Sequence, residues 1–405
     1  MSIFGGKSRN ALISRRRGSI FRNSADSIPL SWTLLLCLFI VAVAALLPLT
    51  LIDSIGAQML SWAVGVACAV MIVVSVRSLA EILIALLIYS FVYYATGSSL
   101  IPTLMFSAIF CVSIFSALLA SSKAIRLVIT VATPLIAWGA ALVITKDPLS
   151  AFLSLLWLPA AIGLGICSRK KKSKTVGAVV FSALACLTGG AVALAYIFTV
   201  NKEISVDVIA SSFEYLRAQS IDMTVEAIKL ADTVEVTDGL VREIGAAVDS
   251  LINLLPGTLI FCATVLGYFV HRSESALLDT FGVDKLTAPS REPIHADVFS
   301  ALVFVLFFMT TFTTNSSGNL SFLATVGQNI CLILSPVLVA VGWRTLKALP
   351  AKIGFLTVAV WIAMIAFVAM SEISALSVIS LVGAFGTLIA ATDKWAKNHY
   401  SDKSA

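Results

Sequence analysis

"TVGAVVFSALACLTGGAVALAYIFTV", Thr175 to Val200, contains no charged side chain. A helix of this length, at about 1.5 Å per residue, crosses the hydrocarbon core of a bilayer. It is preceded by the basic run "RKKKSK", Arg169 to Lys174, and followed by a segment rich in acids. An uncharged crossing length that starts on a block of Lys and Arg reads as a membrane helix entered from the cytoplasm. The rest of the chain follows the same pattern. Of its 405 residues, 59% are hydrophobic and only 12% charged, whereas a soluble domain carries about a quarter charged residues. So little polar surface cannot cover a globule in water. Barrel strands would alternate polar and apolar positions over about ten residues, and these runs do not. The expected fold class is all-α: a polytopic integral membrane helical bundle.

Apolar runs predict about twelve transmembrane helices, near 29–52, 57–76, 79–96, 99–120, 127–145, 148–167, 175–200, 251–270, 298–314, 320–343, 353–370 and 373–391. The organisation is then a basic cytoplasmic tail (1–28), seven spans (29–200), an acidic extracytoplasmic segment (201–250), five spans (251–392) and a cytoplasmic tail (393–405). The first span is read as uncleaved, because its apolar run is too long for a signal peptide. With the N-terminus inside, only Lys146, Lys202, Arg217, Lys229 and Arg242 of the 28 basic residues fall outside. That asymmetry is the positive-inside pattern and predicts both termini in the cytoplasm.

Residues 201–250 carry four basic and ten acidic groups, a net charge of −6. Ile209, Phe213, Leu216, Ser220, Met223, Ala227 and Leu230 recur at spacings of three and four, which predicts an amphipathic helix. Gly239 is expected to break it. A second stripe, Leu240, Ile244, Val248, Leu251 and Leu255, runs into "LLPGTLIF" around Pro256. An amphipathic extracytoplasmic helical hairpin follows from this pattern. Phe213, Leu216, Gly239 and Pro256 would act as a gate or lid, or the hairpin would simply close the bundle by packing.

Ionisable residues inside a span are costly and usually functional, and the predicted spans hold essentially none. Glu81, four residues from Arg77, reads as an interfacial pair, and Glu372 lies in a short outer turn. This argues against a proton-coupled carrier with a carboxylate relay. His271, His295 and His399 fall near span ends or in tails, with no partner at metal spacing. Seven cysteines without a C-x-x-C pair read as small buried hydrophobes. The strong hydrogen-bonding groups left are amides. "VGQNICLILSP" places Gln328 and Asn329 in the tenth span, between Gly327 and Pro336, and Asn253 stands near the top of the eighth. These three are the candidate ligand-binding residues; the alternative is that Asn329 bonds a neighbouring helix. Pro48, Pro102, Pro134 and Pro159 mark further possible kinks. There is no G-x-x-x-x-G-K-[ST], no H-E-x-x-H and no G-x-S-x-G, so no catalytic residue, metal or cofactor is implied, and no nucleic acid.

Residues 205–390 resemble the YybS-like family of bacterial predicted membrane proteins. The resemblance rests on "LLPGTLIFCATVLGYFVHR", "LLDTFGVDKLTAPSREP" and "VGQNICLILSPVLVAVGWRTLK", with Pro256, Pro293, Asn329 and Gly342 as matching positions. That family's hydropathy is similar to the substrate-binding S components of energy-coupling-factor transporters. The resemblance implies a bacterial plasma-membrane protein that captures a small-molecule solute and is energised by separate ATPase and coupling subunits. The expected function is therefore membrane transport or substrate capture rather than catalysis. The alternatives are a membrane-embedded transferase acting on lipid-linked substrates at the outer face, and a cell-envelope scaffold.

Overall fold

A computed structural model of the chain describes residues 27–46, 55–76, 100–121, 124–146, 155–202, 204–231, 237–281, 294–311, 321–348 and 375–401, with a few isolated positions between them. The basic tail, Pro48, Glu81, Glu372 and the runs at 79–96 and 353–370 fall wholly or largely outside these residues. Within them the chain is helical, with no strand. Eleven helices follow in order: α1 Leu30–Leu46, α2 Ile55–Val76, α3 Leu100–Ser121, α4 Ala124–Thr145, α5 Leu158–Arg169, α6 Lys174–Asn201, α7 Val206–Ala231, α8 Asp238–Thr280, α9 Val298–Thr310, α10 Phe322–Ala348 and α11 Ala375–Ser401. Among the described residues, five stretches are long and apolar enough to cross a membrane: Ala124–Ile144, Lys174–Thr199, Asp238–Thr280, Phe322–Leu346 and Leu376–Asp393.

Helix starts follow local chemistry. A hydroxyl accepts a first-turn N–H before four of them: Ser173 from Val176 (3.4 Å), Ser205 from Val208 (3.2 Å), Thr237 from Leu240 (3.3 Å) and Ser321 from Ala324 (3.1 Å). Pro102 and Pro159 lie in first turns, where a missing N–H costs nothing, so neither kinks a helix. Pro134, Pro256 and Pro336 do lie inside helices.

Three expectations are corrected. The run at 148–167 is not one helix: α5 begins only at Leu158, after a turn at 155–157. The eighth helix does not stop at residue 270 but continues to Thr280. Gly239 does not break a helix; it stands in the first turn of α8, and Thr237, just before that helix, is not helical.

The described chain divides into two compact units. The first comprises residues 1–188 and 264–292. Its centre is α3, which packs against α1, α2, α4 and α5. Ile114, Phe115 and Leu118 of α3 are buried, and the Phe115 ring meets Trp157 edge-on at 5.3 Å. Some hydroxyls within this apolar core turn back to their own helix, as Ser113 does to the Ile109 carbonyl (2.8 Å) and Thr133 to that of Ile129 (2.9 Å), and others bond across helices, as Thr103 does to the Ser61 carbonyl (2.7 Å).

The second unit comprises residues 189–263 and 293–405. Here α9, α10 and α11 pack against one another around Phe304, Leu338 and Ala384. At Gly342 and Gly383 the backbones of α10 and α11 approach so closely that a Cβ on either would collide with a carbonyl of the other helix. Small residues at such a crossing let helices gain contact where no hydrophobic drive separates protein from lipid. In the same unit α7 lies beside the start of α8. Arg217 and Asp249 form a two-pronged ion pair, with Nη2 to Oδ2 at 2.9 Å, which pushes the guanidinium above its ordinary value. Ile221 reaches over Gly245. The half-buried residues of α7 are Val208, Ile209, Ser212, Ile221, Val225 and Ile228; of these Ile209 belongs to the stripe that periodicity assigned to the inside. Phe213, Leu216 and Met223, assigned by periodicity to the inner stripe, are 44%, 52% and 63% exposed. On α8, Ile244 and Val248 are buried as expected, and Leu251 and Leu255 are exposed.

Candidate functional site

The continuation of α8 beyond residue 270 carries the most demanding polar group among the described residues. Val270, Glu274, Leu278 and Phe281 share one buried face, at helical spacings of four, four and three. Glu274 is fully buried. Its Oε2 accepts a 2.8 Å hydrogen bond from the Ser168 hydroxyl and lies 3.6 Å from Nδ1 of His271, which is also buried. Ser116 of α3 points its hydroxyl toward the carboxyl. It makes no hydrogen bond of normal geometry, however, and both its Oγ and Glu274 Oε1 are left without a partner. His271 Nε2 is in the same position.

Local structure explains why Ser168 is there. The basic run ends α5 with paired reverse bonds: Lys172 N–H to the Cys167 carbonyl and Lys171 N–H to that of Ser168, both at 3.0 Å. Lys171 takes the left-handed conformation this ending needs, at φ 51°. Ser168 is thereby fixed in the last turn of α5, one residue from Arg169. The His271 ring is placed by the absence of a side chain at Gly177, where a Cβ would stand 3.1 Å from Nε2. Three segments, from α3, α5 and α8, thus bring one carboxyl, one imidazole and two hydroxyls together in an apolar core. A carboxylate there needs a compensating positive charge. A proton, an imidazolium or a bound cation can supply it, and two unpaired oxygens and one ring nitrogen are poised to receive it.

The predicted spans hold essentially no ionisable residue; just past the predicted end of the eighth span at residue 270, His271 and Glu274 nevertheless lie buried in the core of the first unit. The signal was present in "VHRSESALLDTF": an acid on an apolar stripe. Hydropathy alone stops at residue 270 and hides it.

The amides form a different arrangement in the second unit. Asn329 Oδ1 accepts the Gly257 N–H at 2.7 Å, and its Nδ2 donates to the carbonyls of Asn253 (2.8 Å) and Thr325 (3.0 Å). In a regular helix the Gly257 N–H would bond the Asn253 carbonyl four residues back. The Asn329 side chain bonds both groups of that link, one residue after Pro256. Gly257 permits the approach, since a Cβ there would come within 2.9 Å of the Asn329 Cα. Asn253 and Asn329 are therefore brought together, but through the Asn253 backbone. Gln328 is half-buried and has no hydrogen bond among the described residues. Pro256 sits at the clamp, whereas Gly239, Phe213 and Leu216 are exposed.

The cysteines are all free; five are buried, Cys186 is half-buried and Cys262 is exposed. Among the described residues no three His, Cys, Asp or Glu side chains group as a metal site would require. No family model, no curated protein and no solved structure matches the chain.

Proposed function

We propose that the chain is a bacterial plasma-membrane transport protein for a small solute, and that Glu274 carries the proton coupled to transport. The observation behind this reading is the fully buried, half-satisfied Glu274 carboxyl beside His271. Ionisable groups inside helical membrane proteins are expensive and are retained on ion and proton paths. One carboxyl and one imidazole offer too few ligands for a divalent metal, which takes four or more, and suit a proton. The proposal keeps both termini cytoplasmic and the α7 segment outside. The YybS-like resemblance supports solute capture. A proton site makes energisation by ATPase subunits unnecessary.

The test is electrical. Reconstituted protein under an imposed pH gradient should give proton-coupled currents with at least one of a panel of amino acids, vitamins and sugars. Glu274→Gln, folded to the same extent, should give none. A mutant that retains wild-type currents would remove Glu274 from the mechanism. Topology is checked with an impermeant thiol reagent on intact cells: Ser212→Cys should be labelled and Ser173→Cys should not.

A further inference from the structure

The first unit carries a second feature, independent of the Glu274 cluster. An open groove of about 300 Å³ runs between α3, α4 and α5, lined by Phe115, Leu119, Val131, Pro134, Ile162 and Ile166 among others. Arg169 is its only charged lining residue. The wall residues Val131, Ile162 and Ile166 are 53%, 42% and 49% exposed, on helices whose outer faces are otherwise apolar. Such walls face hydrocarbon rather than water. The charge lies at one end. α3 ends at Ser121, α4 begins at Ala124 and α5 ends at Arg169, and Gly165 packs on Leu119 of α3, so the three helix ends meet there. Arg169 opens the run of basic residues to Lys174.

We infer that this groove binds one acyl chain of an anionic phospholipid, with the phosphate at Arg169, where the basic run to Lys174 begins. Apolar length and terminal charge match the two parts of that molecule, and basic pockets between membrane helices on the cytoplasmic side recognise anionic head groups. A solute of the aqueous phase would find almost no polar partner along the groove.

The full chain, purified in detergent, is titrated with phosphatidylglycerol, phosphatidylcholine, diacylglycerol and inorganic phosphate, and bound lipid is counted by native mass spectrometry beside thermal unfolding. Phosphatidylglycerol should bind and raise the unfolding temperature, while the other three should do so weakly or not at all. Arg169→Gln should weaken phosphatidylglycerol binding roughly fivefold, as expected for one basic group near a head group. Val131→Trp, which fills an exposed wall without entering the core, should abolish it. Equal binding of phosphatidylcholine, stabilisation by phosphate alone, or occupation of the groove by a second copy of the chain, seen as concentration-dependent dimers sensitive to Val131→Trp, would each overturn the assignment.

Discussion

Glu274 and Asn329 are both polar groups held inside helix bundles, and they differ in how completely they are satisfied. Asn329 spends its carbonyl oxygen and both amide hydrogens on three backbone partners. Glu274 spends one oxygen on Ser168 and leaves the other unpaired, next to a histidine whose Nε2 is also unpaired. A saturated group has nothing left to offer a ligand, so its role is to fix the angle between two helices. A group buried with open valences requires a proton or ion that the surrounding side chains do not provide. Type and depth in the sequence do not separate the two cases; the count of partners does.

The largest effect should come from closing the space that the clamp needs. A Cβ at Gly257 would stand 2.7 Å from Asn329 Oδ1 and 2.9 Å from its Cα. Gly257→Ala must therefore displace the α10 backbone and lose the bond between Gly257 N–H and Oδ1. Overpacking of this kind costs about 3 kcal/mol, outweighing the roughly 1 kcal/mol of helix propensity gained. Thermal unfolding in detergent should fall clearly. An unchanged unfolding temperature would show that the approach is not tight.

Asn329→Leu should cost less, about 2 kcal/mol, because the Asn253 carbonyl and Gly257 N–H can bond each other within the helix without the amide. The measurement that sharpens the comparison is the ratio of the proposed transport to folded protein. It should stay at the wild-type value if Asn329 is structural, and a selective loss of transport would restore the amides as a binding site.

The amide clamp and the acid differ in how far the sequence revealed them. The helices were legible because apolar runs long enough to cross a bilayer leave few alternatives. Asn329 and Asn253 were legible as a pair of interest because amides stand out inside such runs. That the bonds go to backbone groups around Pro256 was not legible, since they depend on which helix packs beside α10. Glu274 was missed for a related reason. Hydropathy ends α8 at His271 and Arg272, yet the helix continues, and its burial is decided by Ser168 and Gly177, more than ninety residues away in the chain. The exposed stripe of α7 failed for the opposite reason. Both faces of that helix carry apolar residues, and contact with Gly245 selected Ile221 over Leu216.

Glu274→Gln tests the other side of the comparison. The amide has the carboxyl's shape, can still accept from Ser168, and removes a charge that would otherwise need compensation. A neutral amide of the same shape keeps the Ser168 bond and avoids the cost of burying an unpaired charge, so the unfolding temperature should hold or rise by an amount equivalent to about 1 kcal/mol. Calorimetric titration of the purified chain from acid to alkaline pH should release one proton fewer than wild type. A marked loss of stability instead would make Glu274 a structural partner of Ser168 and place it in the same class as Asn329.

The smallest effect belongs to a pair that is fully bonded but lies in water. Arg217 and Asp249 are joined by two hydrogen bonds, yet each side chain is 46% exposed. Solvent and salt screen such a pair, and its deletion commonly leaves overall stability unmoved. Arg217→Gln should therefore shift the unfolding temperature by no more than the scatter of the measurement. Locally the outcome should differ. No side chain of α7 whose exposure is described is fully buried, so its attachment to α8 rests on the half-buried face around Ile221 and on this ion pair. Loss of the pair should speed hydrogen exchange across 206–231 while leaving exchange around Asn329 and Glu274 unchanged, and the difference should shrink as salt rises. Uniform exchange in mutant and wild type would mean that apolar contacts alone hold α7. A fall in global stability would mean that saturation of hydrogen bonds, rather than burial, decides what a polar pair contributes, and the contrast between Asn329 and Glu274 would then need a different cause.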